Sequence, residues 1–333
     1  MDGETPPGTG DIHLGPRTIP VPQSLSPEAQ AFLRATPVGP RRALPPLDDK
    51  AGWRDYIQKL DAERLPLMAR GAEGAEATVK AIQVGEALVQ VATPHVVAPA
   101  DQDKALLYIH GGALVFLGGP AVPLFALGEA SRYRMMIFAV DYRMPPNHPF
   151  PAGLDDCVAV YRHLLQTYRP ENIAIYGASA GGNLAAAAAL KIRDLGLPAP
   201  GAVGLFTPEI DLTETGDSFS INTEIDCMAP YKFPECNALY ADGADLTDPY
   251  VSPLFGDFTK GYPPTFVQAG TRDLFLSNAA RMHRALRRAD IDAELHIFEG
   301  MPHGGLGGRS PEDLEMRREF RRFLDKRLGR KPG

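Results

Sequence analysis

Gly177-Ala178-Ser179-Ala180-Gly181 is a stretch whose residue types and spacing could carry chemistry. A serine set between glycines at the exit of an apolar run can sit on a sharp turn with its hydroxyl bared, because larger side chains there would strike neighbouring backbone. The helix that opens at such a serine also has N–H groups that favour negative charge. A serine hydroxyl is a weak nucleophile alone. It needs a base, and the base needs an acid to orient it. Of the eight histidines, His163 and His283 lie in helical patterns, His95 and His296 in strand patterns, and His13 in a Pro/Gly-rich tail. His303 instead stands in the glycine-rich "EGMPHGG", where a loop can reach the serine. Asp273, just past Gly270 at the end of a strand-like run, is the expected orienting acid, and Glu299 is its competitor. His110-Gly111-Gly112-Ala113 closes an earlier apolar run, and its glycines bare N–H groups able to hold an oxyanion, with the N–H of Ala180 as the other donor. Ser179, His303, Asp273 and a hole made by Gly111, Gly112 and Ala180 are together the parts of acyl transfer.

Such groups must be positioned by elements, and the pattern along the chain supplies them. Up to about Pro22 the proline density and lack of periodicity predict a flexible tail. A serine before Pro27 and Glu28 starts a helix that stops before Pro37, and "WRDYIQKLDAERLPLMARG" reads as a second short helix. From Thr78, "TVKAIQVG" and "EALVQVATPHVV" alternate as half-buried strands do. The apolar runs "KALLYIH", "RMMIFAVDY", "NIAIYG", "AVGLFTP", "PTFVQAG" and "AELHIFEG" then alternate with helical segments. That order predicts an α/β fold with a mostly parallel central sheet flanked by helices, its site beyond the C-terminal ends of the strands. Residues 211–264 break the alternation and are too long for a plain loop, so short helices are expected there, laid over the sheet.

Composition sets further bounds. The 333 residues, 44% hydrophobic and 23% charged, are those of a globular protein with ample core. A net charge of −7 leaves no basic footprint for a nucleic acid, so a small-molecule partner is expected. Three cysteines, Cys157, Cys227 and Cys236, form neither an even disulfide set nor metal-ligand spacing. With no secretory pattern at the N-terminus and no apolar run of the roughly 20 residues a bilayer crossing needs, a cytoplasmic location without a membrane span is expected.

Taken in order, "HGGA", "DYRMPPNHPFPAGLDDC", "GASAGGN", "DPYVSPLF", "GTRD" and "EGMPHG" cover roughly Leu106 to Gly304. They make the chain resemble the hormone-sensitive-lipase-like (bacterial family IV) esterases of the α/β-hydrolase superfamily. The order Ser179, Asp273, His303 is that superfamily's triad order. The resemblance implies that Gly111 and Gly112 lend N–H groups to an oxyanion hole and that His110 is structural. It also implies a helical cap, mapped here onto residues 1–50 and the insertion 211–245, over a catalytic domain of 51–210 and 246–333. Ala113 departs from the family pattern by replacing a third glycine. Ala113, Phe116, Met228, Tyr231 and Phe233 are candidates for lining the acyl pocket. Asp141 and Arg143 are expected to brace a loop, Asp155 and Asp156 to sit at a helix start, and Cys157 to be core. The activity expected is carboxylic ester hydrolysis without metal or organic cofactor. A lactone hydrolase or amidase using the same triad, and a non-catalytic receptor on the same fold, are the alternatives. A homodimer through the "AELHIF" edge and the last helix also follows from the resemblance.

Overall fold

The computed structural model describes residue 12 and residues 15–329, so the expectations for residues 1–11 and 13–14, His13 among them, lie outside it. The strands are β1 (Ala77–Val84), β2 (Ala87–Pro94), β3 (Ala105–Ile109), β4 (Met136–Asp141), β5 (Ile173–Ala178), β6 (Ala202–Phe206), β7 (Thr265–Gly270) and β8 (Ala293–Phe298). Among the described residues they form one sheet in the order β1-β2-β4-β3-β5-β6-β7-β8. The β1–β2 hairpin and the β2–β4 pair are antiparallel, and every pairing from β4 to β8 is parallel. This is the mostly parallel α/β sheet that the alternating runs predicted.

Strand period two sends successive side chains to opposite faces. Leu107 and Ile109 of β3 therefore enter the core under α4 (Ala152–Leu164), α5 (Ala180–Asp194) and α8 (Leu276–Arg288). Leu106 and Tyr108 enter the opposite core, under α3 (Val122–Tyr133) and α9 (Pro311–Arg327). Burial on both faces is why β3 reads as a continuous apolar run rather than an alternation. The Ala-rich α5 is buried along nearly its whole length, and its small side chains let it lie close against the sheet.

Two helices precede the sheet: α1 (Pro27–Ala35), capped by Ser26, and α2 (Lys50–Ala72). The second is longer than the sequence pattern suggests, running 23 residues through Pro66. Inside the 211–264 stretch stand the short α6 (Ser218–Ile221) and α7 (Pro234–Ala241). The N-terminal segment meets this insertion where Arg41 pairs with Glu235 at 2.8 Å and the Tyr231 hydroxyl donates to the Gly39 carbonyl at 3.0 Å. It meets the C-terminal part where Ser26 donates to Glu312 through its N–H (2.7 Å) and its hydroxyl (2.8 Å). Asp155 stands in the first turn of α4, while Asp156, one residue further in, holds the Arg143 guanidinium at 2.8 Å and accepts the Arg143 N–H at 2.8 Å. Asp141 accepts the Gly119 N–H, and Cys157 is fully buried.

Candidate active site

Ser179 sits between the end of β5 and the start of α5 with φ 57° and ψ −123°, a left-handed conformation that L side chains rarely adopt. The turn is tight enough to dictate its neighbours. A Cβ on Gly181 would come within 2.0 Å of the Ile109 carbonyl oxygen, and one on Gly177 within 2.3 Å of Gly181. Only glycine fits either place. The Ser179 N–H donates to Phe206 and its carbonyl accepts from Glu209, which ties the turn to β6 and the loop after it.

The loop leaving β3 lies directly against this turn. A Cβ on Gly111 would fall 3.2 Å from the Ser179 Cβ and 2.8 Å from the Ala178 carbonyl oxygen. Gly112 has φ +129°, and a Cβ there would come 2.1 Å from the Phe116 oxygen. Among the described residues the N–H groups of Gly111, Gly112 and Ala180 donate no hydrogen bond. His110 is buried, stacks on Tyr142 with ring centroids 4.3 Å apart, and bonds through Nδ1 to its neighbour's carbonyl at 2.8 Å. Burial, more than any other influence, pushes its pKa down, so the ring is a neutral brace.

His303 follows β8 by a glycine-rich loop and meets Asp273, which follows β7, with Nδ1 3.1 Å from Oδ1. Asp273 is fully buried and also accepts the Phe275 N–H at 3.0 Å. Among the described residues His303 Nε2 has no hydrogen-bond partner, and the ring stands edge-on to Phe275 at 5.0 Å. Burial is the largest single influence on this ring and favours its neutral form. The Asp273 hydrogen bond and charge, with the charge of Asp226, outweigh it and raise the pKa above 6.5.

Asp226 and Glu209 were not singled out from the sequence. Asp226, from the insertion, accepts N–H groups of Met228 (2.9 Å), Ala229 (3.1 Å), Leu274 (2.8 Å) and His303 (3.1 Å). It thereby fastens the insertion to the loops bearing both Asp273 and His303. The only local signal was an Asx turn over 226–228, a common device. Asp226, Asp273 and His303 offer atoms within 4.8 Å of one another. Yet the Asp226 oxygens already take four backbone donors, which is the work of a brace rather than of a metal ligand. Glu299 lies outside this group of side chains.

The five candidate pocket residues do not gather as one group. Ala113 and Phe116 pack with Trp53 and Leu60 of α2, Cys236 and Leu239 of α7, and the half-buried Phe233. Tyr231 is instead tied to Gly39, and the largely exposed Met228 lines a separate cavity on the α3/α9 side. Ala113 has φ 50°, in the left-handed region where a third glycine would be at ease.

A mostly parallel sheet with a strained serine turn beyond β5, and an Asp–His pair carried by the last two strands, is the arrangement of α/β hydrolases. The family model described as the α/β-hydrolase fold matches residues 106–306, and the chain belongs to that family. Its relatives place it among the hormone-sensitive-lipase-like esterases. It is 34% identical over 208 residues to an esterase of Acinetobacter venetianus, covering 61% of this chain and 68% of that one. It is 36% identical over 213 residues to an acetyl-hydrolase of Streptomyces hygroscopicus, covering 62% and 70%. A crystal structure of an esterase superposes with a TM-score of 0.90 at 35% identity, covering 96% of this chain and 99% of its own. Another, of an esterase from the bacterial hormone-sensitive lipase family, gives 0.75 at 29% identity, covering 92% and 100%.

Proposed function

We propose that the protein hydrolyses small to medium acyl esters through an acyl-enzyme. Ser179 Oγ attacks the ester carbonyl carbon while His303 Nε2 takes its proton. The N–H groups of Gly111, Gly112 and Ala180 hold the oxyanion, a task worth about 3–4 kcal/mol per donor in well-formed sites. The C–O bond then breaks and His303 returns the proton to the leaving alcohol. Water repeats the sequence on the acyl-enzyme, releasing the carboxylic acid and restoring the serine. Asp273 holds the ring with Nδ1–H inward and Nε2 toward the serine. The acyl chain lies against Ala113, Phe116 and Phe233.

The observation that carries this reading is the approach of Gly111 to Ser179, which sets free backbone donors beside the serine hydroxyl. The relatives named as esterase and acetyl-hydrolase support an ester substrate of modest acyl length. Ser179→Ala is expected to keep its fold by circular dichroism and to lose p-nitrophenyl butyrate hydrolysis by about 10⁴-fold or more; undiminished turnover would remove the serine from the mechanism. A screen across acyl lengths, lactones and anilides ranks ester against lactone and amide chemistry.

Among the described residues no helix is long and apolar enough to cross a membrane, and Cys157, Cys227 and Cys236 are free thiols. Reduced cysteines support placing the enzyme in the cytoplasm. The outer edge of β8, the last strand in the sheet order, is the surface we assign to a homodimer contact.

A further inference from the structure

A cavity of ≈ 610 Å³ lies on the α3/α9 side of the sheet, walled by α1, the C-terminal end of α2, α3 and α9. Neither Ser179 nor His303 lines it, nor do Ala113, Phe116 and Phe233, so it is distinct from the acyl pocket assigned above. Its volume is that of a small-molecule site. Its floor is aromatic, made by Tyr108, Tyr176 and Phe206, whose rings pack against one another.

Two polar groups in this cavity lack partners. Arg317, half-buried on α9, makes no ion pair or hydrogen bond among the described residues. The acids beside it are already engaged. Glu129 accepts the Tyr176 hydroxyl at 2.9 Å and pairs with Arg132. Asp313 accepts the N–H groups of Leu306 (2.9 Å) and Ser310 (3.2 Å) and the Ser310 hydroxyl (3.0 Å). Burial first, then the charge of Arg132, lower the Arg317 pKa, against the opposing charges of Glu129 and Asp313. The second group is the hydroxyl of Thr207, a residue 1% exposed in the loop after β6, whose Oγ1 has no hydrogen-bond partner among the described residues. Buried polar atoms are rarely left unpaired, because each costs about 1–3 kcal/mol.

We infer that this cavity is a binding site for a small organic carboxylate with a flat apolar body. The carboxylate meets Arg317, and the body lies on the Tyr108, Tyr176 and Phe206 surface. A neutral apolar guest would leave the guanidinium uncompensated, and an organic cation would be repelled by it. A planar guanidinium matches a carboxylate with two parallel hydrogen bonds. The cavity is also lined by Gly177 and Ala178, which precede the nucleophile candidate, and by Gly304 and Gly305, which follow His303. A bound guest therefore touches both chain segments that position the reacting groups.

This inference stands apart from the ester-hydrolase reading and is tested by binding rather than turnover. Isothermal titration with sodium 1-naphthoate is expected to give saturable one-to-one binding. Arg317→Met should weaken it about tenfold or more, and the uncharged 1-naphthamide should bind wild type at least that much more weakly, as loss of a charge-assisted pair requires. Prior phosphorylation of Ser179 by diisopropyl fluorophosphate, with loss of fluoride, should leave naphthoate binding unchanged. No saturation at millimolar naphthoate, equal binding of acid and amide, or loss of binding on phosphorylation would each overturn the site. If Arg317→Met does not fold, the acid-against-amide comparison on wild type decides alone. If Ser179 resists the fluorophosphate, the hydrolase reading fails while the binding comparison still holds.

Discussion

Glu209 sits one residue past Pro208, fully buried, with neither carboxyl oxygen hydrogen-bonded among the described residues and its N–H on the Ser179 carbonyl. Burial, helped by the nearby Glu214, pushes its pKa up to about 8, against the pull of His303. The folded protein thus keeps a proton that the unfolded chain releases near the ordinary glutamate pKa of 4.5. Between those two values the native state binds more protons, so stability falls as pH rises, by up to about 1.4 kcal/mol per pH unit. Denaturant titrations from pH 5 to 8 should show that slope in wild type and lack it in Glu209→Gln; parallel curves would mean the acid is ionised in the fold. Asp226 acts on the same ring. Its charge helps raise His303, so the acid limb of kcat/KM is expected with a midpoint above 6.5. Asp226→Asn should move that limb to lower pH, and the amide, facing N–H donors with its own NH₂, should cost about 1–3 kcal/mol of stability. An unshifted pH profile would confine Asp226 to bracing the loops.

At the scale of elements, the strand-turn-helix around Ser179 shows why a short motif needs its context. β5 and α5 are ordinary in composition, but joining them by a left-handed serine leaves no room at Gly177 or Gly181. Gly181→Ala would push a methyl to 2.0 Å from the Ile109 carbonyl. Either β3 moves, carrying the 110–113 loop away from Ser179, or α5 unwinds at its start. Such overpacking typically costs about 1–3 kcal/mol and sometimes more, so a clearly lowered melting temperature with reduced hydrolysis is expected. A variant with wild-type stability and turnover would show that the turn relaxes freely. The sequence pattern located these elements well because strands buried on both faces read as apolar runs and the turn needs glycine whatever surrounds it. It read α2 as a short helix over residues 53–71, a little inside its actual bounds. Pro66 stands within the 23-residue helix, and packing of Trp53 and Leu60 against the 113–117 loop and α7 helps hold α2 in place.

For the whole molecule, the sheet ends at β8, an edge strand that leaves hydrogen-bonding groups unpaired on one side. Ile297 on it is 41% exposed, while Lys326 bonds Glu294 at 2.8 Å and Arg327 pairs with Asp292 nearby. Those charges limit the ways another edge can dock and favour one register. Sedimentation velocity should give about twice the 36.0 kDa chain mass for wild type, and the chain mass for Ile297→Lys; a monomeric wild type would sink the assignment.

The sequence by itself determined the α/β order, the family, and the candidates Ser179, Asp273, His303 and the 110–113 loop. Each is announced by local constraints: glycine where backbone must pass close, apolar runs where strands are buried, and a polar residue just past a strand end. Only the tertiary structure decided that Asp226 reaches the loops bearing Asp273 and His303, that the Glu209 carboxyl has no hydrogen-bond partner among the described residues, and that Met228 lies away from Phe116. It alone formed the cavity holding Arg317 and Thr207. Those facts depend on which long-range neighbours remain to satisfy a charge or a hydroxyl once the backbone has folded. A carboxylate in a loop reads alike in sequence whether it ends solvated, braced by four N–H groups, or buried with its proton retained.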